Sequence, residues 1–270
     1  MEEGKSNKRP DIPESIKREV RKKCFFGCVI CGMPFFQYDH IDEYSEVKEH
    51  TEENLVLLCP NHHAAKTTNK LSKERVREAK LNPHNSNRAH TTGFKLEPSK
   101  KLSVQLGSNT VFGLNNKENG IHCPIWINGM GFFLIHKEDG WLTFSLSLTD
   151  CNGNVLLNVL KGELMISVDA WDYVYEGENI KIRSGLKKIL LELNLSDAKV
   201  ELKKGIFFDE NKDGFAVDAG TLLTFINGVC LGASHGGVAS NNGFGGWGLL
   251  NKKEHPEISK PGSFGFFTEV

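Results

Sequence analysis

Two pairs of metal-ligating residues, each at x2 spacing, constrain this chain more than any other feature: Cys28-Val-Ile-Cys31-Gly32 and Cys59-Pro-Asn-His62. A C-x2-C turn followed by glycine brings two thiolates toward one point. A second pair at the same spacing completes a set of four soft or borderline ligands, which zinc takes as a closed tetrahedron. The alternative is that these cysteines are buried as small apolar side chains, which does not account for the matched spacing. The consequence for folding is large, because a unit with little core of its own would then be held by an ion. Cys24 would need an x3 spacing to Cys28 and is left out of the set.

The other cysteines fit this reading. There are seven in all, an odd number, and Cys24, Cys28, Cys31 and Cys59 crowd into the first part of the chain. That clustering predicts metal binding rather than a disulfide framework. The opening stretch MEEGKSNKRPDIPESIKREV has no apolar segment, so no export signal is expected. No run approaches the length of a membrane-spanning helix, and the expected compartment is a reducing cytoplasm. A formal net charge of −1 excludes a global field that would draw the whole chain to nucleic acid or membrane. The first 92 residues carry 16 Lys/Arg against 14 Asp/Glu, a slight local excess of positive charge.

Two regions of different character follow from the patterning. Near the start, Asp11 offers a cap for a helix with Ile16 and Val20 on one face and a basic run, Lys17-Arg18 to Arg21-Lys22-Lys23, towards its end. That run suits a solvated face or a nucleic-acid contact. FFQYDHI at 35–41 and LVLLC at 55–59 predict two short strands, NHHAAKTT a helix, and Ser72 a cap for KERVREAK. The Asn-, Ser-, Thr- and Pro-rich stretch 83–101 reads as a linker. Beyond it, runs such as GFFLI, WLTFSLSL, KILLELNL and KVELKKGIFF alternate with turn signals such as Asn152-Gly153-Asn154 and Gly177-Glu178-Asn179. Short strands at this spacing predict an all-β sandwich, barrel or roll over 102–270, with no fixed internal period.

Read together, the N-terminal residues are Cys28-x2-Cys31, Asp39-His40, Asn54-Leu55, Cys59-x2-His62-His63 and Lys66. This pattern resembles the HNH endonucleases, the ββα-metal or His-Me finger nucleases, in the subgroup with a structural zinc. The likeness covers residues 10–80 or so, and in one place the chain departs from it: His62 stands where the subgroup commonly has cysteine, an exchange zinc tolerates. The resemblance implies an α+β chain in which a zinc-stapled ββα-metal domain at 1–82 precedes the larger all-β domain. It also implies a metal-dependent endonuclease acting on DNA, with His40 as general base, Asn54 as its orienting residue, and Asp39 and His63 as ligands of a catalytic Mg2+ or Mn2+. Cys28, Cys31, Cys59 and His62 would hold the structural Zn2+. The adjacent histidines thus take separate tasks, one in the framework and one in the chemistry. A zinc-stabilised nucleic-acid-binding or regulatory module without cleavage is the alternative. His50 falls in the variable loop and reads as a solvated histidine or a metal or DNA contact. Lys66 reads as a phosphate contact or a solvated lysine.

The β region resembles no family. A nuclease head on a β body suggests a restriction-type or phage-defence effector, the body serving recognition, ligand sensing or homo-oligomerisation. Asp209-Glu-Asn211-Lys-Asp213-Gly214 matches half of a calcium loop, but the twelfth position holds Gly220, so a hairpin turn is expected. The glycine-dense stretch Gly232–Gly248 reads as a mobile loop. Trp126, Trp141, Trp171 and Trp247 read as core or edge aromatics.

Overall fold

The computed structural model describes residues 9–112, 119–196, 198–240 and 244–270, and its contacts divide into two compact units, Met1–Asn87 and Arg88–Val270. The first unit runs α1 (Glu14–Lys23), β1 (Gln37–His40), α2 (Tyr44–Val47), β2 (Leu55–Leu58), α3 (Pro60–Thr67) and α4 (Lys73–Leu81). Asp11 does not cap α1: Pro13 holds the N-cap position, with no side-chain cap bond. Ser72 does cap α4, its hydroxyl accepting the Arg75 N–H at 3.2 Å.

The strands β1 and β2 pair antiparallel, Gln37 opposite Leu58 and His40 opposite Leu55. All of β2 is buried, so the hairpin is covered on both faces. Its residues join Val20, Ile41 and Val76 in one small cluster that also contains Cys24, Cys28 and Cys59. A fully buried aliphatic side chain stabilises by about 1.5–3 kcal/mol, while fixing each residue's backbone costs about 1–2 kcal/mol. So few core residues leave little margin, and a metal staple beside them is physically useful.

The second unit is all β among its described residues. Its strands are β3 (Phe94–Lys95), β4 (Ser103–Leu106), β5 (Asn109–Phe112), β6 (Gly120–Ile127), β7 (Met130–Glu138), β8 (Trp141–Thr149), β9 (Val155–Leu160), β10 (Glu163–Ile166), β11 (Asp172–Glu176), β12 (Asn179–Gly185), β13 (Lys188–Ser196), β14 (Lys199–Phe208), β15 (Gly214–Asp218), β16 (Thr221–Ile226), β17 (Val229–Ser234), β18 (Val238–Ser240), β19 (Gly245–Leu250) and β20 (Phe264–Glu269). One sheet orders β11-β12-β13-β14-β4-β5-β18. The other orders β3-β10-β9-β8-β7-β6-β19-β20. A meander of β14, β15, β16 and β17 joins it through the Ile206–Thr149 bridge. Strand β14 serves both sheets: Val200–Leu202 pair with β4, and Gly205–Phe208 pair with β15. At Gly205 a Cβ would stand 2.9 Å from Leu202 Cδ1, so the switch between sheets has no room for a side chain.

Two expectations need correction. The stretch 83–101 is largely built into the units rather than left as a linker. Asn85 is buried and donates to the carbonyls of Phe25 at 3.1 Å and Gly32 at 2.9 Å. Thr91 donates its N–H to Ile166 at 2.8 Å and accepts from Ile166 through its hydroxyl at 3.1 Å. Polar side chains that bond backbone look, in composition, like polar side chains in water. The glycine-dense stretch forms β17, β18 and β19 rather than a loop, with Asn241–Gly243 outside the described residues. Two of its glycines are required by close approach: a Cβ on Gly245 would lie 2.4 Å from the Phe264 ring, and one on Gly248 2.5 Å from Phe267.

The half-match to a calcium loop is a turn between β14 and β15. Asp209 Oδ1 accepts the N–H groups of Asn211 and Asp213, both at 2.9 Å. The buried Asp213 carboxylate accepts from Asn227 N at 2.6 Å, Asn251 Nδ2 at 2.9 Å and Asn128 Nδ2 at 3.0 Å. Trp126 and Trp247 are buried, while Trp141 is exposed at the start of β8. No helix among the described residues is long and apolar enough to cross a membrane.

Candidate functional site

The loop after α1 and the start of α3 bring Cys28, Cys31, Cys59 and His62 together, their ligand atoms all within 4.8 Å of one another. Gly32 follows the first pair at φ +77°, a conformation glycine adopts without strain, and its N–H returns to the Cys28 carbonyl at 2.7 Å. Cys59 is the N-cap residue of α3, with Pro60 in the first turn, which turns His62 back onto the thiols. His62 Nδ1 stands 3.5 Å from Cys28 Sγ and 3.2 Å from Cys59 Sγ. Cys31 and Cys59 are 3.8 Å apart between sulfurs.

Thiolates at about 2.3 Å from zinc form a tetrahedron with edges of about 3.8 Å, so this corner fits the ion without rearrangement. The contact between Cys28 and Cys31 holds the Cys28 thiol down and pushes Cys31 up, so the pair shares a proton that a metal would displace. Burial pushes Cys24 up to about 12 and leaves it a neutral core thiol outside the set. All four zinc positions would be filled by protein, which makes the centre structural.

His63 follows His62 on α3, and a residue per 100° of helix turns it to another side. Its Nε2 faces Asp39 Oδ1 of β1 at 3.5 Å. Ligands at about 2.0–2.1 Å from a Mg2+-sized ion and near right angles lie about 3 Å apart, so a carboxylate and an imidazole at this separation suit a hard divalent cation with open positions. Lys66, one turn further along α3, is neither solvated nor free to reach a distant phosphate. Its buried ammonium pairs with Asp39 Oδ2 at 2.9 Å and donates to the His40 carbonyl at 2.6 Å. One side chain thereby fixes both the carboxylate and the backbone of the next residue.

His40, at the end of β1, is 4 % exposed. Arg9 Nη2 donates to its Nδ1 at 2.9 Å, and its Nε2 meets His50 Nδ1 at 3.1 Å. His50 Nε2 in turn meets the Pro10 carbonyl at 2.8 Å. Tyr44 backs the group: His50 stacks on its ring at 4.8 Å, and the Arg9 guanidinium lies 4.9 Å from its centroid. Burial, then the charge of the Arg9 guanidinium beside it, push the His40 imidazole down to about 4, which keeps it neutral at neutral pH.

Asn54 reaches the backbone beyond His40 rather than the ring. Its Oδ1 accepts from Asp42 N at 2.8 Å and its Nδ2 donates to Asp42 O at 2.9 Å. These bonds hold the backbone two residues after His40. The residues that hold the imidazole are Arg9 and His50. His50, expected as a solvated loop residue or a metal or DNA contact, is a partner of His40. Nothing periodic or motif-like marks Arg9 or His50 in the sequence. The signal that could have found His50 is its position in the loop between His40 and Asn54.

Residues 28–69 match a family model described as HNH endonuclease. Every residue of the zinc corner and of the Asp39–His40–His63 group falls inside that span; Arg9 falls outside it. No curated protein and no solved structure matches the chain.

Proposed function

We propose that the HNH match carries its activity with it: the N-terminal unit hydrolyses DNA phosphodiester bonds with Mg2+ or Mn2+, on a framework set by Zn2+. The observation that carries this reading is the separation of two metal-binding groups around adjacent histidines. His62 belongs to a closed Cys3His corner, while His63 faces Asp39 one residue from a buried imidazole.

His40 Nδ1 takes a proton from water as the hydroxide oxygen bonds to phosphorus, and the P–O3′ bond breaks with its electron pair on the 3′ oxygen. Asp39 and His63 would hold a divalent ion, which would supply Lewis-acid charge for the cleavage. Lys66 holds Asp39 in place and fixes the His40 carbonyl. Arg9 yields Nδ1 when DNA arrives, because a phosphate oxygen is a stronger acceptor for a guanidinium than a neutral imidazole. Basic side chains on α1 and α4 give sequence-tolerant, salt-sensitive contacts to the backbone. Several of these already pair with acids, such as Lys23 with Glu52 at 2.7 Å, so affinity from this unit alone is modest. The β unit serves recognition, ligand sensing or self-association in a restriction-type or phage-defence effector.

The test is nicking of supercoiled plasmid at low salt by wild type and His40→Ala, with Mg2+, Mn2+ or EDTA. Cutting should need the divalent ion and fall about 100- to 10,000-fold in the variant, with zinc content unchanged. His40→Ala cutting as fast as wild type would sink this reading.

A further inference from the structure

His40 can work as a base through only one of its ring nitrogens, and the surrounding bonds decide which one. At one end, the Arg9 guanidinium at 2.9 Å from Nδ1 has donors only, so His40 Nδ1 must present its lone pair. At the other end, the Pro10 carbonyl at 2.8 Å from His50 Nε2 can only accept, so a neutral His50 carries its single proton on Nε2. His50 Nδ1 is then a lone pair, and it faces His40 Nε2 at 3.1 Å. The bond between the rings therefore runs from His40 Nε2–H to His50 Nδ1. Both ends, independently, require the same arrangement of protons.

We infer that His50 is a positioning residue that fixes His40 as the Nε2–H tautomer, leaving Nδ1 as the nitrogen that accepts the proton of the attacking water. When Nδ1 takes that proton, His40 Nε2–H keeps donating to His50 Nδ1, so the developing imidazolium retains its partner and the ring does not turn. Tyr44, stacked on His50 at 4.8 Å, holds the second ring in plane with this task. The catalytic consequence rests on the nuclease reading; the proton arrangement does not.

Two substitutions separate chemistry from packing. His50→Asn puts an acceptor, Oδ1, on the same Cγ that carries Nδ1 and gives up the ring. His50→Phe keeps a ring to stack on Tyr44 and gives up the acceptor. In the zinc-loaded full chain with 15N-labelled histidine, long-range 1H–15N spectra report which nitrogen of each imidazole is protonated. His40 should read as Nε2–H in wild type; in an Arg9→Ala background, which removes the restraint at Nδ1, it should stay Nε2–H with His50→Asn and become a tautomer mixture with His50→Phe. In plasmid cleavage with Mn2+, His50→Phe should lower kcat about 10- to 100-fold at little change in KM, and His50→Asn should recover most of the loss.

The reverse ranking, Phe active and Asn impaired, would make His50 a packing residue and overturn the inference. So would an Nδ1–H His40 in wild type. A wild type that cuts nothing while its spectra read Nε2–H would remove the nuclease reading and leave the tautomer assignment standing.

Discussion

Asn54 offers the most direct check on how the site is held. Its amide bridges both backbone groups of Asp42, accepting at 2.8 Å and donating at 2.9 Å, so Asn54→Ala removes two hydrogen bonds at once. Each contributes about 1 kcal/mol net. The Ile41 N–H to Asn54 carbonyl bond at 2.8 Å survives the change, so the loop loosens without detaching. The expected loss is about 2 kcal/mol locally, or about 30-fold in the opening equilibrium of the Asp42 amide. Amide hydrogen exchange on the zinc-loaded full chain reads this at a single residue. Asn54→Asp provides the internal control. It keeps the acceptor, so the Asp42 N–H should stay protected, while a carboxylate oxygen now faces the Asp42 carbonyl and destabilises the loop by a different route. In cleavage, Asn54→Ala should lower kcat with KM nearly unchanged, because the backbone carrying His40 is disturbed and the metal pair is not. If Asp42 exchanges in Asn54→Ala as slowly as in wild type, the staple has been misread and Asn54 must act elsewhere.

Metal analysis should separate the cysteines: Cys24→Ala is expected to keep one zinc per chain, whereas Cys59→Ser loses it and unfolds the first unit, seen as loss of dispersion in its amide signals. Zinc retained by Cys59→Ser would refute the ligand set. In the β unit, Gly214→Ala should lower the thermal midpoint by several degrees, since φ is +148° and a Cβ would sit 1.9 Å from the Phe207 carbonyl. At about 4–8 °C per kcal/mol for a small domain and less for a larger one, scanning calorimetry would resolve even a partly relaxed clash, and an unchanged midpoint would rule it out.

How much of this could be read from the chain depends on how local each signal is. The zinc corner was legible because ligand spacing is a short-range property, and β1, β2 and α4 were legible because short apolar runs and a serine cap act within a few residues. The surroundings of His40 were not. Arg9 meets His40 across 31 positions and Lys66 meets it across 26, and neither distance leaves a trace in periodicity. Lysine and arginine also read as solvent-facing by default, although Lys66 is 7 % exposed. The glycine-rich strands failed for a related reason. Glycine carries no strand signal of its own, and the demand for it comes from Phe264 and Phe267 on a neighbouring strand. Asn54, expected beside the imidazole, bonds the Asp42 backbone instead, because a side-chain amide bonds backbone as readily as imidazole.

The double duty of β14 has a consequence for the order in which this molecule comes into being on the ribosome. The cluster of the first unit is complete once Ala79 is made, and its metal corner once His62 is made. In the second unit, β4 waits for Lys199–Leu202, and β6 waits for β19, from Gly245 onward. At about 5–20 residues per second, synthesis from Asn87 to Leu250 takes about ten to thirty seconds. During that interval each nascent chain carries a head whose core and metal ligands are all synthesised, attached to a body whose sheets are not yet complete. Any restraint the body places on the head begins only after that delay.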